Sequence, residues 1–238
     1  MSDARQRTAL VTGASRGIGL EVARLFAAEG IRVAMLARSE AELAARAKEI
    51  GANALAIRCE IANAEDVAAA TDRVVSEFGD APNIVVNNAG LFELAPIDKT
   101  SADAFRAAVN VNLVAPFLIV RAFVERMRAR RDGHIVTIGS IADRMIFPEN
   151  GAYAPSKFGV RALHEVLRME LRGSGVRTTL VSPAAVDTAM WDDIDPDSRP
   201  GFTPRRDMLS ARAVADAVRY AISQPADVNV DELRISHS

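Results

Sequence analysis

The sequence predicts a three-layer α/β fold: a doubly wound parallel sheet of about seven strands with helices on both faces, in a single domain over residues 1–238. Short apolar runs alternate along the chain with longer segments of helical periodicity, which is the order found in parallel sheets. Most of these runs are apolar throughout, as expected of strands that are covered on both faces. No linker rich in Pro, Ser or Gly divides the chain, so we expect one domain.

The strands and helices can be assigned in chain order. The segments with the character of buried strands are Ala9–Thr12, Val33–Ala37, Ala54–Cys59, Ile84–Asn87, His134–Gly139, Thr178–Ser182 and, less regularly, Val228–Ile235. The helical segments between them are Gly19–Glu29, Glu40–Ile50, Ala64–Phe78, Asp103–Arg130, Ala154–Leu171 and Ala211–Ser223. Five of these helices are followed closely by a glycine, which suits the left-handed residue at a helix end. These glycines are Gly30, Gly51, Gly79, Gly133 and Gly173.

The composition excludes several classes of function. The chain is 49% hydrophobic and 25% charged with a net charge of −2, which gives no general field for binding nucleic acid or an anionic membrane. A single cysteine, Cys59, excludes an intrachain disulfide and a zinc site of several cysteines, and the three histidines are too scattered for a metal triad. No targeting segment and no uninterrupted apolar run of about 18 residues is visible, so we expect a cytoplasmic protein without a membrane span.

A glycine-rich segment joins the first predicted strand to the first helix. Residues 12–19 read Thr-Gly-Ala-Ser-Arg-Gly-Ile-Gly. Glycines at such a turn let backbone N–H groups approach a pyrophosphate, and the helix N-terminus adds partial positive charge. Turns also use glycine for positive φ alone, but the position between strand and helix favours a dinucleotide site. The candidate contacts are Gly13, Ser15, Arg16, Gly17, Ile18 and Gly19.

The end of the second strand indicates which dinucleotide binds. An acidic residue there would accept hydrogen bonds from a ribose 2′-hydroxyl, whereas an arginine would accommodate a 2′-phosphate. Residues 36–38 include no acid and end in Arg38, and Arg16 is a second cation that can reach the same place. The alternative is that both arginines are solvated surface residues. We predict NADP(H) rather than NAD(H).

Tyr153 and Lys157 lie one helical turn apart and share a helix face. A phenol has a pKa of about 10, and a neighbouring ammonium lowers that pKa toward the range where an acid–base group works well. Ser140 stands at the carboxyl end of a predicted strand, where its hydroxyl can donate to a carbonyl oxygen that gains charge. Taken alone, the pair could be an ordinary exposed pair and Ser140 a turn cap. Together they predict proton transfer at a substrate hydroxyl.

These motifs, in this order, resemble the short-chain dehydrogenase/reductase family in its compact, NADP-preferring branch. The resemblance runs from Thr8 to about Ile222: T-G-x-x-x-G-x-G at residues 12–19, N-N-A-G at residues 87–90, and Asn112, Ser140, Tyr153 and Lys157 with the family's separations. It implies a Rossmann fold and an oxidoreductase that interconverts a secondary alcohol and a ketone or aldehyde. The alternatives are a non-catalytic NADP-binding sensor or scaffold, and an epimerase or dehydratase of the same family.

The resemblance also implies a role for each of these four residues. Tyr153 would be the general acid–base, and Ser140 would orient the substrate carbonyl. Lys157 would hold the nicotinamide ribose and lower the pKa of Tyr153, and Asn112 would position a water that links Lys157 to a proton relay. The nicotinamide itself would transfer the hydride.

Further cofactor contacts are implied at Glu60, Ile61, Asn88, Val186 and Thr188. The chain departs from the family pattern after the sixth strand, where Pro183-Ala184 replaces the usual Pro-Gly. A Cβ at Ala184 would then need a shift or an altered φ.

The segment from about residue 189 to 209 is irregular, with three prolines and charges of both signs. A loop of this length is often functional, so we predict a lid over the substrate, the alternative being a solvated loop. The candidate pocket residues are Phe92, Arg144, Phe147, Met190 and Trp191, with Arg144 a candidate contact for a charged substrate. We expect a small carbonyl or alcohol substrate and no metal. The resemblance implies that Asp103–Arg130 and Ala154–Leu171 pair across a two-fold axis, giving a homodimer or homotetramer.

Overall fold

The computed structural model describes residues 6–238, and a seven-stranded parallel sheet forms its centre. Its strands are β1 Thr8–Thr12, β2 Arg32–Ala37, β3 Ala54–Arg58, β4 Ile84–Asn87, β5 Gly133–Ile138, β6 Val176–Pro183 and β9 Glu232–Ile235. The strands lie in the order β3-β2-β1-β4-β5-β6-β9, so the direction of winding reverses between β1 and β4. Two short strands, β7 Val186–Asp187 and β8 Leu209–Ser210, pair separately. The predicted fold class is confirmed.

Helices cover both faces of the sheet. They are α1 Gly17–Ala28, α2 Glu40–Ile50, α3 Ala64–Phe78, α4 Ala102–Val109, α5 Ala115–Arg130, α6 Tyr153–Glu170 and α7 Ala211–Ile222. One hydrophobic core lies between the sheet and α1, α2 and α7, and a second lies between the sheet and α3, α5 and α6. Within β1, Ala9 and Val11 enter the first core and Leu10 enters the second, which is why the strand sequences are apolar throughout.

The predicted helix Asp103–Arg130 is a continuous run with one irregularity. A π turn, Asn110–Val114, joins α4 to α5 and inserts one extra residue per turn. By length and composition alone, this run over residues 102–130 could cross a membrane. In the fold it packs on the sheet through Ile119, Phe123 and Met127, which are fully buried. Packing in a protein core therefore accounts for part of its apolar character.

The structure corrects two of the predicted elements. The last strand begins at Glu232 rather than at Val228. Before it, the Asn229 side chain accepts a hydrogen bond from the Thr178 N–H and donates one to the Thr178 carbonyl oxygen, each 3.0 Å long. These side-chain bonds take the place of backbone pairing at Thr178. The left-handed residue after α5 is Arg131, not Gly133. Gly133 is needed for close packing instead, since a Cβ there would lie 2.8 Å from the Met127 sulfur.

Two histidines are buried in the sheet region and should make the fold acid-sensitive. His134 lies 2.8 Å from the Thr179 hydroxyl and His164 lies 3.0 Å from the Thr137 hydroxyl. The second ring nitrogen of each has no partner among the described residues. Burial lowers the pKa of His134 to about 3 and that of His164 to about 4, so both rings are neutral in the folded protein.

We expect the free energy of unfolding to fall as the pH is lowered from about 6.5 toward 4. Unfolded histidine binds a proton near pH 6.5, so the stability that the neutral rings provide is fully present above that pH and is lost as the pH falls through the folded-state pKa values. Denaturant titrations followed by circular dichroism at each pH measure this. His164→Gln should flatten the pH dependence. An equally steep dependence in that variant would contradict the assignment of this proton uptake to His164.

Candidate active site

A cavity of about 1070 Å³ opens at the carboxyl ends of the central strands. Its lining comes from the segments that follow β1, β2, β3, β4, β5 and β6. The cavity spans the position between β1 and β4 where the winding reverses, which is where open α/β sheets bind ligands. Every predicted cofactor contact except Gly19 lines this cavity, and Gly19 lies directly behind the lining residue Gly13.

The glycine segment forms a tight cradle at one end of the cavity. Gly13 and Gly17 have φ values of +66° and +56°, which residues with a side chain rarely adopt. A Cβ on Gly19 would lie 2.4 Å from the Gly13 carbonyl oxygen, so no larger residue fits there. No side chain caps α1, and its first turn has no acidic residue, whereas the Asn63 side chain caps α3. The N–H groups at the start of α1 therefore suit a phosphate anion, and the cradle fits a dinucleotide.

Asn88 holds this cradle in place. Its side-chain amide donates to the carbonyl oxygens of Thr12 and Gly13, at 2.8 Å and 3.3 Å. The Thr12 hydroxyl oxygen in turn accepts from the backbone N–H groups of Asn88 and Ala89, at 3.0 Å each. The N-N-A-G segment is thus fixed to the glycine segment across β1 and β4. Thr188 lies against the other side of the cradle. A Cβ on Gly17 would lie 3.3 Å from the Thr188 methyl group.

The far end of the cavity carries two exposed arginines. Arg38 is 80% exposed, and its Nε lies 4.0 Å from the Glu60 carboxylate. Arg16 is exposed and makes no ion pair within residues 6–238. Both line the cavity, so their charges are available to a phosphate group. Cys59 is buried beside them, and burial raises the pKa of its thiol to about 11, so it stays protonated and unreactive.

Ser140, Tyr153 and Lys157 come together near the middle of the cavity. Ser140 follows β5 in extended backbone, and its hydroxyl accepts from the Ala142 N–H at 3.1 Å. The Ser140 side chain favours the phenolate form of Tyr153 and so acts to lower the pKa of the phenol. The Lys157 ammonium donates to the Ile138 carbonyl oxygen at 3.0 Å and lies 5.6 Å from the centre of the Tyr153 ring. The predicted grouping of a hydroxyl, a phenol and an ammonium is present.

The electrostatics of this group differ from the expectation that Lys157 lowers the pKa of Tyr153. Desolvation raises the pKa of Tyr153 to about 12, and the Ser140 side chain opposes the rise only in part. Desolvation also lowers the pKa of Lys157 to about 8. The charge of Asp143 favours the protonated form of both groups. Burial is the largest of these effects on Tyr153, because desolvation disfavours the charged phenolate.

Arg144 does not line the cavity, contrary to the expectation that it contacts substrate. Its guanidinium donates to the fully buried Asp143 carboxylate at 2.7 Å and pairs with Glu232 on β9, and hydrogen bonding to Asp143 raises its pKa. Ser182 on β6 also donates to Asp143, at 2.6 Å. Gly139 leaves room for this carboxylate, because a Cβ there would lie 2.8 Å from it. The network ties the segment that carries Ser140 to the edge of the sheet.

Asn112 anchors the loop that follows β4. Its side chain lies in the π turn, accepts from the Leu91 N–H at 2.8 Å and donates to the Leu91 carbonyl oxygen at 2.9 Å. It also donates to the Ser156 hydroxyl on α6 at 2.9 Å. The residue is therefore a fixed link between the N-N-A-G segment and the helix that carries Tyr153.

The backbone at Ala184 accommodates the departure from Pro-Gly without strain. Its N–H donates to the Ile235 carbonyl oxygen at 2.9 Å, which extends the pairing of β6 with β9. Ala184 does not have a positive φ. Val186 then starts β7, so the chain passes the cradle in extended form.

Aromatic residues line the cavity next to Tyr153. Phe92 contacts the Tyr153 ring edge to face at 4.6 Å and the Trp191 ring at 5.0 Å. Phe147 and Met190 also line this end. Sequence reasoning missed Arg199 and Phe202, which line it too, because an irregular segment carries no periodicity that could mark them.

Residues 189–209 lie over this end of the cavity in three short 3₁₀ turns. Arg205 fastens the segment by pairing with Asp187 at 2.9 Å and with Asp192 at 2.5 Å. The Trp191 indole N–H donates to the Val186 carbonyl oxygen at 3.1 Å, which fixes Trp191 against β7.

Comparison with known proteins agrees with this geometry. The family model described as short chain dehydrogenase matches residues 7–199. Dehydrogenase/reductase SDR family member 11 of Bos taurus is 35% identical over 245 residues, covering 97% of this chain and 96% of that protein. The alcohol dehydrogenase of the archaeon Thermococcus sibiricus, solved in complex with 5-hydroxy-NADP, superposes with a TM-score of 0.87 at 30% identity, covering 98% of this chain and 97% of that one. Serine dehydrogenase of Escherichia coli superposes with a TM-score of 0.83 at 27% identity, covering 96% of each chain.

Proposed function

The chain belongs to the short-chain dehydrogenase/reductase family of oxidoreductases, and from this premise we propose that it interconverts a secondary alcohol and a ketone or aldehyde with NADP(H). The observation that carries the proposal is the grouping of Ser140, Tyr153 and Lys157 beside a glycine cradle in one cavity. NADP(H) is supported by the two cavity-lining arginines, Arg16 and Arg38, and by the NADP analogue in the Thermococcus sibiricus enzyme.

The chain's own residues account for binding and proton transfer. The glycine cradle and the start of α1 would hold the pyrophosphate, and the two arginines would hold the 2′-phosphate. Lys157 would bind the ribose hydroxyls next to the nicotinamide. When bound, the nicotinamide supplies the hydride. Ser140 donates a hydrogen bond to the substrate carbonyl oxygen, and Tyr153 donates the proton to the same oxygen as it gains charge.

The pKa of Tyr153 determines which form of the phenol is present at neutral pH. With a pKa of about 12, the phenol keeps its proton near pH 7, so it is ready to act as an acid. Oxidation of an alcohol needs the phenolate, which becomes available only as the pH rises. We therefore expect the rate of alcohol oxidation to rise more steeply with pH than the rate of carbonyl reduction.

The experiment is to follow NADPH oxidation with a panel of ketones, aldehydes, oxoacyl thioesters and amino-acid-derived carbonyls. We expect turnover of at least one carbonyl class, with NADPH used in preference to NADH. Assays without a carbonyl compound provide the control. Tight NADPH binding without turnover of any carbonyl would contradict the proposal and indicate a sensor instead.

We also propose that the protein forms a dimer or tetramer through the outer faces of α4, α5 and α6. Large apolar side chains lie exposed on these helices, and an apolar patch of this kind commonly marks a protein interface. They are Phe105, Phe117, Phe158, Val166 and Met169.

Analytical ultracentrifugation tests the oligomeric state. We expect the parent protein to sediment as a dimer or tetramer and Phe158→Glu to shift it to a smaller species, because a carboxylate buried in an apolar interface is unpaired. Tyr220→Glu on α7, at a residue that is 54% exposed, is the matched control and should change nothing. A parent protein that is only monomeric would refute this interface.

A further inference from the structure

The substrate end of the cavity is walled by a series of aromatic rings that begins at the acid–base group itself. Phe92 packs between Tyr153 and Trp191, with ring centres 4.6 Å and 5.0 Å away, and Trp191 continues to Phe202 at 6.3 Å. All three contacts are edge to face, the geometry in which aromatic rings attract one another. The rings come from three separate segments of the chain: the loop after β4, the start of α6 and residues 189–209.

The remaining lining of this end is mostly apolar. These side chains are Leu91, Leu94, Val111, Ile141, Phe147 and Met190. Binding there depends mainly on burying apolar surface, so a substrate gains most from a large, flat, apolar group.

The cations at this end already have partners. Arg199 pairs with Glu149 at 2.8 Å, and its guanidinium lies 4.5 Å from the centre of the Phe202 ring. Lys157 is buried and donates to a backbone carbonyl. Asp193 adds a further carboxylate to the lining. A substrate carboxylate would therefore meet two acidic groups and, among the described residues, no lining cation without a partner at this end.

We propose that the substrate is an uncharged ketone, or the corresponding secondary alcohol, with a ring attached to the reacting carbon. This inference rests on the proposed function. Because Phe92 touches the Tyr153 ring directly, a ring next to the carbonyl contacts Phe92 and Trp191 while the carbonyl oxygen lies at Tyr153. Amino acids such as serine, the substrate named for the Escherichia coli neighbour, fit poorly, because their carboxylate would have to displace Glu149 from Arg199.

Three ketones with the same number of carbon atoms test the effect of a ring and the effect of a negative charge separately. Acetophenone has a ring, 2-octanone has an open chain, and phenylglyoxylate has the ring and a carboxylate. We expect kcat/KM with NADPH to be about tenfold higher for acetophenone than for 2-octanone, the value of a favourable aromatic contact. We expect it to be on the order of a hundredfold higher for acetophenone than for phenylglyoxylate, because the carboxylate is desolvated without a partner. With NADP⁺, 1-phenylethanol should be oxidised and L-serine should not.

Variants assign these preferences to residues. Phe92→Leu and Trp191→Leu should each lower the ratio of kcat/KM for acetophenone to that for 2-octanone by several-fold. Tyr220→Leu removes an exposed ring outside the cavity and should leave the ratio unchanged. Glu149→Gln should raise the kcat/KM of phenylglyoxylate relative to acetophenone about tenfold, because it frees Arg199 to pair with the substrate.

The outcomes separate this inference from the proposed function. If no compound in the set or in the wider carbonyl panel is turned over, the proposed function fails. If the parent enzyme turns over carbonyls but uses phenylglyoxylate, L-serine or 2-octanone as well as acetophenone or 1-phenylethanol, only the substrate inference is overturned. A selectivity that neither Phe92→Leu nor Trp191→Leu changes would also overturn it.

Discussion

Tyr153→Phe is expected to lower kcat for carbonyl reduction by on the order of 10²–10⁴-fold, the contribution of a positioned acid–base group. The substitution removes only the hydroxyl that gives up the proton. The ring remains, so its contacts with Phe92 and with the Lys157 ammonium are retained. Steady-state rates with a reactive ketone, together with NADPH binding followed by fluorescence, measure the loss. Binding should change little, because the hydroxyl serves the chemical step.

Tyr220→Phe is the matched control, since it makes the same change at the other tyrosine of the chain, which is exposed on α7. We expect it to retain the parent rate. Turnover by Tyr153→Phe within a few-fold of the parent would contradict the assignment of Tyr153 as the acid. An equal loss in both variants would show that the effect is not specific to the site.

The double variant Arg16→Ala/Arg38→Ala is expected to lower the preference for NADPH over NADH by on the order of 10²–10⁴-fold. Each arginine that bonds a phosphate contributes about 1.5–3 kcal/mol, and about 1.4 kcal/mol corresponds to a factor of ten. Both side chains are exposed at the cavity edge, so their loss should not disturb the core. The readout is the ratio of the dissociation constants of the two cofactors.

NADH binding is the internal control in that experiment, because NADH lacks the 2′-phosphate and should bind the double variant as well as it binds the parent. Arg24→Ala, on α1 but outside the main cavity, is the external control and should leave both constants unchanged. If the affinities of the double variant for NADPH and for NADH fall by the same factor, the two arginines do not bind the 2′-phosphate.

The fold could be predicted because its signals are local. Most strands of the central sheet are short apolar runs and most helices have their own periodicity, so these elements are visible one at a time. The grouping of Ser140, Tyr153 and Lys157 could also be predicted from the sequence. The end of a strand fixes the position of Ser140, and one helical turn fixes the positions of Tyr153 and Lys157 relative to each other.

Features that depend on distant partners could not be predicted. Arg144 was expected at the substrate because nothing near it in the sequence shows that Glu232, on the last strand, takes up its charge. The rise in the pKa of Tyr153 comes from burial, which a spacing of four residues does not reveal. The contact of Asn112 with Leu91 depends on a π turn that has no distinct sequence pattern. The apolar wall at Phe202 lies in a segment without periodicity.

The position of β9 has a consequence for how the protein is made. This strand lies at the edge of the sheet and leaves the ribosome after all the other described elements. The glycine cradle, Ser140 and Tyr153 are all synthesised earlier. The ion pair between Arg144 and Glu232, which helps to hold the segment that carries Ser140, can form only after Glu232 has been synthesised. A nascent chain can therefore form most of its core during synthesis while the reacting groups are not yet held in their final arrangement. Chains cut short before residue 232 would fold around an unfinished site.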